Sequence, residues 1–187
     1  MAGFATTGAD MGGLVVEACF SNQFCETLAW SATGVASGGV DGAGWALNVT
    51  GDTFNVNAWS FTFDSPFAQI VTLALRGANT FTIFDRTLPD PGTNGSASGR
   101  DFDTAAGGTI DVTYSLPTGI GGNPPVGDLF QNVFIDFNAQ GPRTSFLFSQ
   151  DADNDIRIVN GKIPEPGSLA LLAAAALGLS ALRRRRS

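Results

Sequence analysis

The chain contains no histidine among its 187 residues. Without an imidazole, Ser-His-Asp and Cys-His mechanisms are excluded. Cysteine occurs only at Cys19 and Cys25, too few soft ligands for a zinc centre. The single lysine, Lys162, stands just ahead of the C-terminal tail, so a Ser-Lys dyad in the body is not expected. Basic residues are scarce before that tail: residues 1–163 carry 16 Asp and Glu against 6 Lys and Arg, a formal charge of −10. A surface of that sign repels nucleic acid, and no nucleic-acid partner is expected. Gly42-Ala43-Gly44 is not followed by a helical pattern, so it implies no phosphate cradle. In Gly95-Ser96-Ala97-Ser98-Gly99, Ala97 occupies the place where a nucleophile elbow needs serine. Carboxylate chemistry is what remains. Two carboxylates suffice for glycoside hydrolysis, but many scattered ones single out no pair, and the chain reads as non-enzymatic.

Charged residues make up only 14% of the chain, while glycine occurs 24 times and phenylalanine 15 times. Strong helix formers are rare before the tail, and Thr, Val and Phe are common. This usage predicts an all-β body over residues 1–163. Leu14–Phe20 and Thr27–Thr33 read as strands, glycines and Asp41 break the chain from Gly34 to Gly44, and Trp45–Thr50 resumes. Thr53–Phe63 alternates Phe54, Val56 and Ala58, then changes phase at Trp59-Ser60, which signals a bulge or break. Phe67–Leu75, Thr80–Phe84, Leu129–Phe137, Thr144–Phe148 and Ile156–Val159 are further strands. Thr109–Ser115 is the clearest, with Ile110, Val112 and Tyr114 on one face and polar residues on the other. Leu88–Gly99 and Pro117–Gly127 are long loops expected at the surface. The pattern predicts an antiparallel two-sheet sandwich of jelly-roll type.

Three features of the body suggest sites. Cys19 and Cys25 flank a polar Ser21-Asn22-Gln23 centre, as across a hairpin tip. They form either a disulfide, worth roughly 2 kcal/mol, or two reduced thiols on neighbouring strands. Asp151, Asp153 and Asp155 alternate in what reads as a turn. There they would converge on a hard cation such as Ca2+, or form a solvated acidic turn. Asp101 and Asp103 are possible additional ligands. The segment is not an EF-hand, because Ile156 replaces the turn glycine and Lys162 the bidentate glutamate. Among the aromatics, Trp45 follows a glycine-rich stretch and is the candidate for stacking on a sugar; a place in the core is the other reading. A calcium-dependent carbohydrate-binding module, or a glycan hydrolase, is therefore the alternative to a structural or adhesive role.

The one long uncharged apolar run is Ser168–Leu182. Its leucines cover every side of a helix, which suits a membrane or a buried core rather than a water interface. Fifteen residues span roughly 22 Å as a helix, somewhat short of a ~30 Å hydrocarbon layer, and arginine stems extend the reach. Arg183, Arg184, Arg185 and Arg186 follow and favour the cytoplasmic side. A single C-terminal transmembrane helix is predicted, with Arg183–Arg186 inside and everything before Pro164 outside.

Pro164-Glu165-Pro166, the helix 168–182 and the arginine cluster 183–186 occur in that order at the chain end. Together they make residues 164–187 resemble the PEP-CTERM protein-sorting signal of Gram-negative bacteria. The resemblance implies recognition by an exosortase-type transpeptidase, with Pro164, Glu165 and Pro166 recognised and processed. It also implies transient anchoring in the inner membrane, then delivery to the cell surface or extracellular matrix, often alongside exopolysaccharide. An exported chain is expected to begin with a basic segment and an apolar core. Met1–Gly13 shows neither, and a leader upstream of this start is expected.

Overall fold

The computed structural model describes residues 5–63, 69–78, 80–87, 92–93, 96, 98–106, 109–121, 123–138 and 145–155. The predicted strand Ile156–Val159 and the whole tail lie outside the described residues. Among the described residues the only helical element is a 3-10 turn at Gly8–Asp10. The strands are β1 (Val15–Phe20), β2 (Cys25–Ala29), β3 (Ser31–Ala32), β4 (Ser37–Asp41), β5 (Trp45–Thr50), β6 (Trp59–Phe63) and β7 (Ile70–Arg76). They continue with β8 (Thr82–Asp85), β9 (Asp103–Thr104), β10 (Asp111–Pro117), β11 (Leu129–Asp136), β12 (Phe146–Ser149) and β13 (Asp151–Asn154).

Two antiparallel sheets result. One has the order β13-β8-β11-β7-β1-β2, with β10 on the free side of β11; the other has the order β3-β4-β5-β6-β12-β9. β7 and β8 both run against β11, β7 along Asn132–Asp136 and β8 along Leu129–Phe130. The alternation of apolar residues then makes one shared core. Leu47, Val49, Trp59, Phe61 and Phe148 come from one sheet, and Val16, Leu73, Leu75, Val133 and Ile135 from the other. Ring contacts run through it, with Trp45 stacked on Phe61 at 5.7 Å and Phe61 on Phe146 at 5.3 Å. Such pairs add to the burial of their area.

Two readings of the sequence need correction. The glycine-rich stretch expected to break the chain contains β4, fully paired with β5 from Ser37↔Thr50 to Asp41↔Ala46. Its glycines serve close approach, not a turn. Gly38 lies against the 3-10 turn, where a Cβ would collide with the Gly8 carbonyl and with Trp30 Nε1. That nitrogen donates to the same carbonyl at 2.8 Å. Gly38→Ala is therefore expected to cost roughly 2–3 kcal/mol by overpacking, measured as a lower urea midpoint. Conversely, the first half of Thr53–Phe63 is not a strand. Phe54 and Val56 are exposed in a turn, and the strand begins at Trp59.

The paired cysteines resolve as a disulfide. Cys19 and Cys25 face each other in the β1–β2 register with Cα atoms 4.1 Å apart, and Ser21-Asn22-Gln23 forms the hairpin tip.

Candidate functional site

The register of β13 on β8 builds an acidic cluster. Asp151 stands opposite Asp85, and Asp153 opposite Ile83. Residues two apart in a strand, and residues directly opposite across a pair, share a face of the sheet. Asp85, Asp151 and Asp153 therefore point one way, while Phe84 and Ala152 point the other, into the core. Ile83 belongs with Ile120 and Leu129 to a second apolar cluster. The two long loops, expected at the surface, thus supply buried residues to this side of the sheet: Thr93, Ser96 and Ile120 are each 1% exposed.

Five aspartates are buried in this region, namely Asp85, Asp128, Asp151, Asp153 and Asp155. Each has a hydrogen-bond partner on another segment of the chain. Asp128 accepts from the Thr93 main-chain N–H and, at 2.6 Å, from Thr93 Oγ1. Ser96 Oγ lies 2.6 Å from Asp85 Oδ2 and also contacts Asp153 Oδ2. Asp155 Oδ2 accepts from the Gly121 N–H at 3.0 Å. Asp151 Oδ1 accepts from Thr53 Oγ1 at 3.0 Å. Gly99 closes the cluster from another side, since a Cβ there would collide with Asp85 Oδ1. Burial pushes the Asp85 carboxyl up to about 7, and the Asp153 and Asp128 charges add to this against the Ser96 hydrogen bond. Burial likewise pushes Asp151 up to about 8, helped by Asp153 and Asp85. Gln150 links this region to the core. Its Nε2 donates to the carbonyls of Asp151 at 2.9 Å and Arg100 at 3.1 Å, and its Oε1 accepts from Tyr114 Oη at 2.6 Å.

Asp151 and Asp153 lie in strand β13 rather than in the expected turn, and Asp155 follows it, so side chains two apart are spaced by roughly 6–7 Å along the extended chain. Asp155 is turned to Gly121, and Asp101 is taken by Arg86, whose Nε donates at 2.8 Å. Asp103 lies exposed in β9. Among the described residues, no three His, Cys, Asp or Glu side chains form a group able to hold a metal ion. Burial of Asp85 and Asp128 was illegible in the sequence, where nothing links them to Asp151.

The sugar-stacking reading of Trp45 is also corrected. Trp45 is 2% exposed, stacks on Phe61, and donates from Nε1 to Glu26 Oε2 at 2.8 Å. Its faces are covered by the core because the inward alternation of β5 includes position 45. Trp30 and Trp59 are buried as well. What the outer face of the six-stranded sheet does offer is a shallow groove of mixed character, with Ser31, Thr33, Asp41 and Asn48 beside Leu28, Ala29, Val40 and Ala46. A second groove, sharing Asp41 and Ala46 with it, continues past Gly44 to Thr62 and Ser145.

An acidic two-sheet body with one disulfide, followed by an apolar run and a basic end, defines the class: a β-domain attached to a C-terminal address. The address is identified by family comparison, in which residues 162–186 match the PEP-CTERM protein-sorting motif. Motifs of this kind are recognised by exosortase and point to an exosortase-processed surface protein. The match takes in Pro164, Glu165, Pro166 and Arg183–Arg186. Neither a curated protein nor a solved structure matches the chain. Among the described residues no helix is long and apolar enough to cross a membrane; the predicted spanning helix, 168–182, lies outside them.

Proposed function

We propose that the chain is an exported surface or matrix protein with a non-enzymatic structural or adhesive role. In this reading it is anchored transiently in the inner membrane by residues 168–186 and processed near Pro164-Glu165-Pro166. The observation that carries the reading is the sorting motif at residues 162–186. Two properties of the body support it. The Cys19–Cys25 disulfide suits an oxidising compartment outside the cytosol. The carboxylates with raised pKa, Asp85 and Asp151, are buried and hydrogen-bonded to Ser96 and Thr53. Mass spectrometry of the protein recovered from the native host tests it. Peptides reaching the neighbourhood of Pro164, with none from 168–186, are expected in the surface fraction. An intact tail on cytosolic protein would end this reading.

A second reading, a carbohydrate-binding module, is favoured by the groove on the six-stranded sheet. Ser31, Thr33, Asp41 and Asn48 offer hydroxyl, carboxylate and amide groups on an uncharged floor of small residues. That chemistry matches a neutral polysaccharide bound by hydrogen bonds rather than by stacking. On this reading, Asp41→Ala and Asn48→Ala each weaken binding to a neutral glucan by roughly tenfold, about the value of one hydrogen bond. Affinity electrophoresis measures it, and unchanged mobility in both variants would dismiss the groove.

A further inference from the structure

A strand at the end of a sheet turns a row of N–H and C=O groups outward, and these pair with another strand unless something blunts them. The two sheets have five such ends among the described residues: β13, β2 and β10 in one, β3 and β9 in the other. Four of them are blunted. β3 and β9 are two residues long. β13 is capped by Thr53, whose Oγ1 accepts from the Ala152 N–H at 3.2 Å and lies 3.0 Å from the Ala152 carbonyl. β2 carries an inward-pointing charge: Glu26 Oε2 accepts from the Ala43 N–H and from Trp45 Nε1, each at 2.8 Å.

β10 has none of these devices. Its seven residues, Asp111–Pro117, pair along one side, with β11. The outward groups follow from the ladder beyond it. The Phe137 N–H donates to the Val71 carbonyl, so Ile135 and Val133 turn their main-chain groups toward β7. Asn132, Phe134 and Asp136 therefore turn theirs toward β10, onto Ser115, Thr113 and Asp111. That leaves the N–H and C=O groups of Val112 and Tyr114 pointing away from β11, and among the described residues no other segment bonds to them. Thr113, Ser115 and Leu116 are exposed, while Val112 and Tyr114 lie half-buried against the core. In a body of formal charge −10, Val112–Leu116 carries no charge.

We infer that β10 is a self-association edge, through which two copies of the chain pair antiparallel about a two-fold axis at Thr113 and join their seven-stranded sheets into one. The residues of the edge suit their own copy. The axis sets Thr113 opposite Thr113, Val112 opposite Tyr114, and Asp111 opposite Ser115 of the second copy. Threonine pairs and a β-branched residue beside an aromatic ring are favourable cross-strand neighbours. An acid beside a hydroxyl accepts a hydrogen bond from it. No carboxylate faces another, the arrangement that would oppose pairing. Asp111 is also held aside on its own chain, where Oδ2 accepts from Asn138 Nδ2 at 2.8 Å. Val112 of each copy exchanges N–H and C=O with Tyr114 of the other, which closes a ring of main-chain hydrogen bonds on either side of the axis. The interface is isologous, so it stops at two copies. It is one strand wide, which places it among weak, transient contacts.

The test uses the full-length, disulfide-intact chain in mild detergent. Sedimentation equilibrium in density-matched buffer is expected to show monomer passing to dimer as concentration rises to about 1 mM, the range of weak complexes. Thr113→Lys and Thr113→Glu change an exposed side chain, so the melting curve of each stays that of the wild type. Each sets like charges against each other across the axis and is expected to weaken dimerisation by at least about tenfold. An equimolar mixture of the two variants sets opposite charges there and is expected to restore the dimer. A chain that stays monomeric throughout overturns the inference. So does association that both variants retain, which would run through the apolar tail or another surface, and so does a mixture no better than either variant. Species larger than a dimer that disappear in the variants overturn the two-fold pairing, because β10 would then be joined to a different edge. Hydrogen exchange of the wild type needs no variant. The Val112 and Tyr114 amides are expected to gain protection with concentration, whereas the Thr113 amide, turned to β11, is protected throughout. Exchange at 112 and 114 that ignores concentration overturns the inference.

Discussion

Trp59→Ala is expected to destabilise the body by on the order of 4–5 kcal/mol, near the top of the range for truncated core aromatics. Against a total stability of roughly 5–15 kcal/mol, that leaves a chain that melts near ambient temperature or fails to fold. The position explains the size. Trp59 is completely buried, stacks on Phe148 at 5.4 Å and meets Trp30 edge-on at 5.6 Å. Alanine opens a cavity where three rings meet. It also strands the Gln150 carbonyl, which accepts from Trp59 Nε1 at 2.6 Å; an orphaned buried acceptor adds about 1–3 kcal/mol. Because the Gln150 side chain bonds the carbonyls of Asp151 and Arg100, the damage reaches the aspartate cluster. Trp59→Phe separates the two contributions, keeping most of the ring and losing only the N–H. Urea unfolding followed by far-UV circular dichroism measures both variants. A loss below about 1 kcal/mol for the alanine variant would contradict this account of the core.

Replacing Pro164-Glu165-Pro166 by three alanines is expected to abolish processing without disturbing the body. The motif lies within residues 162–186, which match the sorting family, whereas the strands of the body run from Val15 to Asn154. On the proposed function, the variant accumulates in the inner-membrane fraction with its tail attached, and the surface fraction loses it almost completely. Its melting curve, by contrast, stays that of the wild type. Fractionation with mass spectrometry of the C-terminal peptides reads the first outcome, and thermal denaturation the second. Normal release of the alanine variant would show that the three residues are not what is recognised.

The legibility of this chain differs from residue to residue for physical reasons. Thr109–Ser115 was plain because β10 has one face against the core and one toward solvent, and that asymmetry is written directly as alternation. Trp45–Thr50 was read to its exact bounds for the same reason. β4 was hidden because Gly38 and Gly39 have no side chain to alternate, and a glycine selected for close backbone approach looks like one selected for a turn. Phe54 and Val56 misled in the other direction, alternating like a strand while standing exposed in a turn. Cys19 and Cys25 were legible as a hairpin pair, since their partnership is local and the polar tip between them is short.

The aspartates mark the boundary between what neighbours along the chain decide and what distant segments decide. The sorting motif matches a contiguous stretch, residues 162–186, so its order of Pro-Glu-Pro, apolar run and arginines was legible in the sequence. The sheet-forming character of the body is likewise local, because alternation and composition act within a few residues. Whether Asp151 is a solvated turn residue, a metal ligand or a buried anchor depends on Thr53 and Asp85, 98 and 66 positions away in the chain. A carboxyl group's charge answers to the water and charges around it, and those are assembled only when β13 pairs with β8 and the loops close over them.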